Sequence, residues 1–390
     1  MKFIHAGDIH LGNPFLGLDQ QLPEHLKPII QNATLTTFGK LIDSAIAENV
    51  DFVLFPGDLY NSSESGPQIQ EMVSVQFERL HAAAIPVYLS FGNHDFEANK
   101  QKHLPWPENI HIFAQSIETK YLSLNSGEQI ALTGFSYQTQ RQKEQLIDNF
   151  PPKDIAADYH IGLYHGALGV DGEAYAPFSV NDMLIKNYDY WALGHIHVRQ
   201  TLNDSPFIGY SGNLQGLNRK EVGPKGYYLV TSHKNKLIPE FKPVAAVIWE
   251  NLTISEMVDE DDLVTQIVDY QTEKTTLFSV DITAKLNNTL IERVLSGLTL
   301  EKVRAKLPDN LWVVRLGLKK APTSVLAEDN IDQKYWKSSL QSIFDNFNVS
   351  DYLSNQAPVF VREYFMSKEG QAVLQEKMWQ IMQARKARDE

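Results

Sequence analysis

Five short polar groups in this sequence carry side chains able to hold divalent cations. Asp8-Ile9-His10 offers a carboxylate and an imidazole two residues apart, which in an extended chain face the same side and reach one metal. Gly57-Asp58 sets a carboxylate, suited to bridging two cations, after a residue that permits a tight turn. In Gly92-Asn93-His94-Asp95 adjacent residues point different ways, so Asn93 can offer its amide oxygen to a metal while His94 faces outward to substrate. Asp95 either orients the His94 ring by a hydrogen bond or caps the next helix. Gly194-His195-Ile196-His197 repeats the two-apart geometry with imidazoles, and His165 supplies one more. Asp8-Ile9-His10, Gly57-Asp58 and a lone His165 are each an ordinary accident of sequence, whereas the tetrapeptide, with a histidine that no turn requires, and the His-x-His pair are sharper. The recurrence of all five is no accident.

Two aspartates, one asparagine and four histidines suffice for two ions with positions left open for water. Oxygen and imidazole donors without sulfur suit Mn²⁺, Fe²⁺ or Zn²⁺, with Mn²⁺ favoured, and disfavour Ca²⁺ and Mg²⁺. The chain has 12 histidines and no cysteine, so thiolate ligands, disulfides and cysteine nucleophiles are excluded. His5, His25, His81, His103, His111, His160 and His233 fall in no motif and are read as structural or surface residues.

Each motif directly follows a short apolar run: Phe3 to Ala6, Phe52 to Phe55, Val87 to Phe91, Ile161 to Tyr164 and Tyr190 to Leu193. Runs of this length read as buried strands. Between the first two, Leu35, Phe38, Leu41, Ile42, Ala45 and Ile46 keep helical spacing, as do Ile69, Met72, Val73, Phe77 and Leu80 between the second and third. Strand alternating with helix predicts an α/β layer with parallel neighbours and right-handed crossovers, its site at the carboxyl ends of the strands. Further strands are expected at Gln129 to Gly134, Pro206 to Tyr210 and Tyr227 to Thr231, closing a catalytic domain over residues 1–240.

The pattern restarts over 245–320 as a βαβαβ unit without histidine, read as a cap: strands at Val247 to Ile254, Thr276 to Ile282 and Leu311 to Leu316, with helices from Asp261 to Tyr270 and from Thr289 to Lys306. The acidic run from Glu256 to Asp262 reads as a solvated helix start. The remainder, 323–390, reads as helical, with an apolar stripe of Leu374, Met378, Ile381 and Met382 ending in Arg385, Lys386 and Arg388.

At 390 residues, 43% of them hydrophobic and 21% charged, the chain can bury a substantial core. The N-terminus carries no signal-like apolar stretch and no run is long enough to span a bilayer, so a cytoplasmic protein without membrane contact is expected. A net charge of −13 argues against nucleic-acid binding by bulk charge, which leaves metal ions and a local basic surface to do that work.

The ordered set D-x-H, G-D, G-N-H-D, H, G-H-x-H resembles the calcineurin-like metallophosphoesterase superfamily over residues 1 to 200. The resemblance implies a two-layer β-sandwich flanked by helices and two metals bridged by Asp58 and a hydroxide. One ion would take Asp8, His10 and His197, the other Asn93, His165 and His195. Two cations about 3.5–4 Å apart make a nucleophile of bridging water and neutralise phosphate oxygens. His94, not a ligand, would then protonate the leaving oxygen.

Protein phosphatases of this superfamily carry an arginine soon after Gly-Asp, where this chain reads Leu59-Tyr60-Asn61-Ser62-Ser63. The opening His5-Ala6-Gly7-Asp8-Ile9-His10-Leu11 and the later Tyr210-Ser211-Gly212-Asn213-Leu214-Gln215-Gly216, Arg219-Lys220-Glu221 and Gly223-Pro224-Lys225-Gly226 look like the SbcD/YhaO-type bacterial DNA repair exonucleases. That resemblance implies a two-metal DNA nuclease with an α/β cap, C-terminal helices docking the coiled-coil root of an SbcC/YhaN-type ABC ATPase, and dimerisation through the catalytic domain. Candidate phosphate contacts are Asn61, Asn213, Arg219 and Lys220. The archaeal and eukaryotic branch has histidine where this chain has Asn61, which can bond a phosphate but cannot shuttle a proton. The competing reading is a small-molecule phosphodiesterase or phosphatase with the same site.

Overall fold

Alternation along the first strands fixes the layering. In β1 (Lys2–His5) Phe3 faces one side and Ile4 the other, and in β2 (Phe52–Pro56) Phe52 and Leu54 oppose Val53 and Phe55. All six are buried, so both faces of the strands need cover. The outer face is covered by α2 (Ala33–Ala47), which follows a short α1 (Lys27–Gln31), and by α3 (Pro67–Ala82), whose Phe38, Leu41, Phe77 and Leu80 pack on Ile4, Val53 and Phe55. The layer continues in parallel through β3 (Val87–Ser90) and β4 (Ile110–Ile112).

The inner face is covered by a second sheet. It is made by β5 (Glu118–Ser123), β6 (Gln129–Gly134), β7 (Tyr159–His165), β8 (Tyr190–Gly194), β9 (Gln200–Asp204) and β10 (Phe207–Tyr210) in the order β5-β6-β7-β8-β10-β9. The chain then returns through β11 (Gly226–His233) and β12 (Lys236–Pro243) to complete the first sheet as β12-β11-β1-β2-β3-β4. Tyr190 and Ala192 meet Phe3 and Phe52 between the sheets, while Trp191 and Leu193 pack outward against Met183 of α4 (Val180–Ile185). The expected sandwich of two sheets flanked by helices is the fold observed. His5 reaches across the core: its Nδ1 lies 3.0 Å from the Tyr190 hydroxyl and its Nε2 3.1 Å from the Leu193 carbonyl.

The third sheet is parallel, β13-β14-β15, built from β13 (Val247–Ile254), α5 (Glu260–Val268), β14 (Thr275–Ile282), α6 (Asn288–Leu295), α7 (Leu298–Arg304) and β15 (Leu311–Leu318). One long helix was expected over Thr289 to Lys306. It is two, because Gly297 takes φ +84°, a conformation that stops one helix and starts the next. The helices cover one face of this sheet, and Val247, Trp249 and Leu277 on the other pack against Phe15, Ile30 and Ala33.

The structure, a computed structural model, describes residues 1–12, 15, 18, 22–62, 66–96, 105–319 and scattered positions between 364 and 377. Residues 1–319 make one compact unit and 320–390 another. Of the C-terminal stripe only Leu374 is described, in a helical segment; Met378, Ile381, Met382, Arg385, Lys386 and Arg388 lie outside the described residues. No helix among the described residues is long and apolar enough to cross a membrane.

Candidate metal centre

The motif residues sit on loops that leave the carboxyl ends of β1, β2 and β3 in one sheet and at the ends of β7 and β8 in the other. The loops are laced together by their backbones. Asp8 N–H donates to the Gly57 carbonyl at 3.4 Å, His10 N–H to that of Asp58 at 3.0 Å, and Leu11 N–H to that of Leu59 at 2.9 Å. Strand alternation is not what aligns Asp8 with His10, contrary to the sequence expectation. β1 ends at His5, and both residues are left-handed, with φ +53° and +50°. Asp58 (φ +53°) and His195 (φ +101°) share this strained region. Each such residue costs on the order of 1–3 kcal/mol and persists only where its surroundings over-determine it.

Two glycines make room. Gly57 has φ +91°, and a Cβ there would strike the His165 ring. At Gly92 a Cβ would overlap both Asp58 Oδ1 and the His165 ring. Hence Gly-Asp and Gly-Asn: the loop backbones must come this close for the side chains of the two sheets to meet.

The donor atoms converge in two overlapping groups. His10 Nε2 and His197 Nε2 are 2.9 Å apart, and Asp8 joins them with every donor atom within 4.8 Å of the others. Asn93 Oδ1 lies 3.0 Å from His165 Nε2 and 3.0 Å from His195 Nδ1. Between the groups stands Asp58, whose Oδ2 is 3.7 Å from His10 Nε2 and 3.5 Å from His165 Nε2. Its Oδ1 accepts the His94 N–H at 3.0 Å. All seven residues read from the sequence therefore meet in one place.

Ring partners fix which nitrogen faces inward. His165 Nδ1 donates to the Pro56 carbonyl at 3.0 Å, so Nε2 is the nitrogen turned toward Asn93 and Asp58. Burial holds His10 and His195 neutral down to about pH 3, against the pull of Asp58 on each. Burial also raises the Asp8 carboxyl, which His197 and His165 partly offset. Asp8 and Asp58 are each 1% exposed, and neither is ion-paired with a lysine or arginine among the described residues. Two buried carboxylates without a lysine or arginine partner among the described residues suit a site that cations complete. The donors are oxygen and imidazole nitrogen throughout, so the arrangement fits a binuclear site for divalent metals.

His94 is exposed at the edge of the cluster, its ring 4.8 Å from that of His10 and its Nδ1 donating to the Asn61 carbonyl at 3.1 Å. Asp95 does not hold the His94 ring: its carboxylate bonds go to main-chain groups. The segment after Phe96, where a helix capped by Asp95 was the other expectation, lies outside the described residues. It is fully buried, with Oδ2 accepting the Tyr60 N–H at 3.1 Å and Oδ1 the Gly92 N–H at 2.7 Å. Among the phosphate-contact candidates, Arg219 and Lys220 are exposed and Asn61 half-buried. Asn213 is fully buried, and its amide donates to the Gln215 carbonyl at 2.7 Å and to Glu221 Oε2 at 2.6 Å.

Glu221 was noted in the sequence only as a neighbour of Arg219 and Lys220. Its Oε1 lies 2.8 Å from His197 Nδ1. Burial pushes its carboxyl up, but the His197 bond and charge, with donors from Leu217 and Asn213, bring it down to about 2. His197 is correspondingly raised: burial lowers it, and Glu221 and Asp8 outweigh that. A separation of 24 positions announces no contact between the two, because it is made by a loop returning from β10.

The model of the calcineurin-like phosphoesterase family matches residues 1–199. Among similar proteins, YhaO, an uncharacterized metallophosphoesterase of Bacillus subtilis, is 39% identical over 258 residues, 65% of this chain and 63% of that one. The DNA double-strand break repair protein Mre11 of Methanocaldococcus jannaschii is 26% identical over 247 residues, 61% of this chain and 64% of its own. The SbcD component of the nuclease SbcCD of Staphylococcus saprophyticus is 24% identical over 273 residues, 63% of this chain and 69% of its own. The chain thus spans somewhat under two thirds of the length of the first two. A sandwich with oxygen and imidazole donors at five strand ends and a family match across those same strands lead to one conclusion: the chain belongs to the calcineurin-like phosphoesterase family.

Proposed function

We propose that this protein is a metal-dependent phosphodiesterase acting on DNA. The observation that carries the metal reading is Asp58 Oδ2, poised within 3.7 Å of His10 and 3.5 Å of His165, so that one carboxylate oxygen serves two donor groups. Asp8, His10 and His197 would hold one ion and Asn93, His165 and His195 the other, with Asp58 shared and Mn²⁺ the favoured metal. Bound in this way, two cations acidify water and neutralise phosphate oxygens.

The chain's own groups do the rest. His94, exposed at the edge of the cluster, delivers a proton to the leaving oxygen, its ring held by the Asn61 carbonyl. Arg219 and Lys220 meet the flanking phosphates. The three-stranded sheet acts as a cap, and the C-terminal segment docks an SbcC/YhaN-type ABC ATPase. Support for DNA comes from the relatives at 24–26% identity, one named for double-strand break repair and one for its nuclease.

A second reading, hydrolysis of small phosphodiesters, draws on the net charge of −13 and on two basic groups already engaged. Lys225 Nζ is bonded to the His197 carbonyl at 2.8 Å, and the Arg199 guanidinium lies 3.8 Å from the centre of the Phe241 ring. The deciding experiment assays the Mn²⁺-loaded protein on single-stranded DNA, duplex DNA, cyclic nucleotides and a chromogenic phosphodiester. Cleavage of DNA is expected. Turnover of small esters with none of any DNA would replace the nuclease reading with the second one.

A further inference from the structure

We infer that Glu221 is the positioning residue for His197 and that the third sheet holds it in place. All the acceptor capacity of Glu221 is committed. Oε1 takes His197 Nδ1 at 2.8 Å and Asn218 Nδ2 at 3.0 Å, and Oε2 takes Asn213 Nδ2 at 2.6 Å and Leu217 N–H at 2.7 Å. A carboxylate fixed by four donors cannot follow a ring that turns. It holds the ring instead, with the proton on Nδ1 and the Nε2 lone pair aimed at the point His10 Nε2 faces from 2.9 Å. The main chain of His197 is pinned as well, by Lys225 Nζ at 2.8 Å on its carbonyl.

The loop that presents Glu221 is bolted to β13 on both sides of that residue. Trp249 Nε1 donates to the Gly216 carbonyl at 3.1 Å, and Gly223 N–H donates to the Trp249 carbonyl at 2.8 Å. Gln215 Oε1 accepts the N–H groups of Ala246 at 3.0 Å and Val247 at 3.1 Å. The first strand of the third sheet therefore sets the position of a carboxylate that orients a donor in the metal centre. A sheet without a single metal-binding motif thereby contributes to the site.

The inference rests on the metal reading above, and its test separates the two. Mn²⁺ titrations of the full chain compare the parent with Glu221→Ala and Glu221→Gln. Alongside them, NMR of the metal-free proteins reads the His197 tautomer above its titration range, and urea unfolding monitors the fold. Glu221→Ala should weaken one Mn²⁺ equivalent by roughly 10–100-fold and lose the fixed Nδ1–H tautomer. Glu221→Gln, whose amide oxygen still accepts from Nδ1, should recover part of both. A Glu221→Ala protein that binds two equivalents at parental affinity, or keeps the tautomer, overturns the inference. If the parent itself binds no Mn²⁺, the metal reading fails and the tautomer measurement alone decides the role of Glu221. Should Glu221→Ala not fold, the tautomer and affinity of Glu221→Gln decide: Gln keeps one acceptor for Nδ1 but turns a donor toward Asn213 and Leu217, so values short of the parent support the role and values identical to the parent overturn it.

Discussion

Asp95 accepts the backbone N–H of Tyr60 at 3.1 Å, so a carboxylate that follows β3 holds in place the loop that follows β2. Its other oxygen closes the turn at Gly92, and the pair sets the separation between Asp58 and Asn93. Asp95→Ala strands two buried N–H groups at about 1–3 kcal/mol each. Urea unfolding of the metal-free protein should show a loss of at least about 2 kcal/mol, partly recovered in Asp95→Asn, which keeps one acceptor oxygen. A variant as stable as the parent would mean that water replaces the carboxylate.

Gly92→Ala tests the close approach. The added methyl group would overlap Asp58 Oδ1 and the His165 ring, both buried and without space to retreat. A destabilisation of about 1–3 kcal/mol is expected from overpacking. Isothermal titration should also show Mn²⁺ affinity at least about tenfold weaker, as for other disturbances of the groups that hold ligands in place. Parental affinity would show that the loop moves aside freely.

His94→Ala separates acid catalysis from metal binding. His94 lies near enough to His10 and Asp58 to share a donor group with them, so proximity alone does not settle its role. Its exposure and its bond to the Asn61 carbonyl favour the proton donor. Turnover of a chromogenic phosphodiester should fall by about 10²–10⁴-fold with two Mn²⁺ equivalents retained. Loss of one equivalent would make His94 a ligand.

Acid should destabilise the metal-free protein through His5. Burial lowers this imidazole from 6.5 to about 4, against the Leu193 carbonyl bond that raises it. Below pH 6.5 the unfolded chain binds a proton that the folded one refuses. Stability therefore falls as pH drops from 6.5 to about 4 and levels off beneath, a loss of roughly 3 kcal/mol at most from this group. His10, His160 and His195 act with the same sign, so the informative quantity is the difference between parent and His5→Gln in the slope of unfolding free energy over that window. Equal slopes would show that His5 is protonated in the folded state.

The sequence by itself determined the interior strands and the residues gathered at their ends. Strands buried on both faces must be largely apolar, and β1, β2, β3, β7 and β8 are, each with its polar motif at or just beyond its carboxyl end. The four strands it did not reveal, β4, β5, β9 and β12, are the edges of the two sheets. An edge strand is half solvated, so its residues carry no apolar signature; Glu118–Ser123 and Gln200–Asp204 are largely polar. Only the tertiary structure decided how the donors are aimed. Left-handed backbone at Asp8, His10, Asp58 and His195 is enforced by contacts between loops, not by local preference. The partners of Asp95 and Glu221 were likewise set by folding. Tyr60 lies 35 residues from one and His197 24 from the other, and no period or motif spans such distances until two sheets and a third bring the loops together.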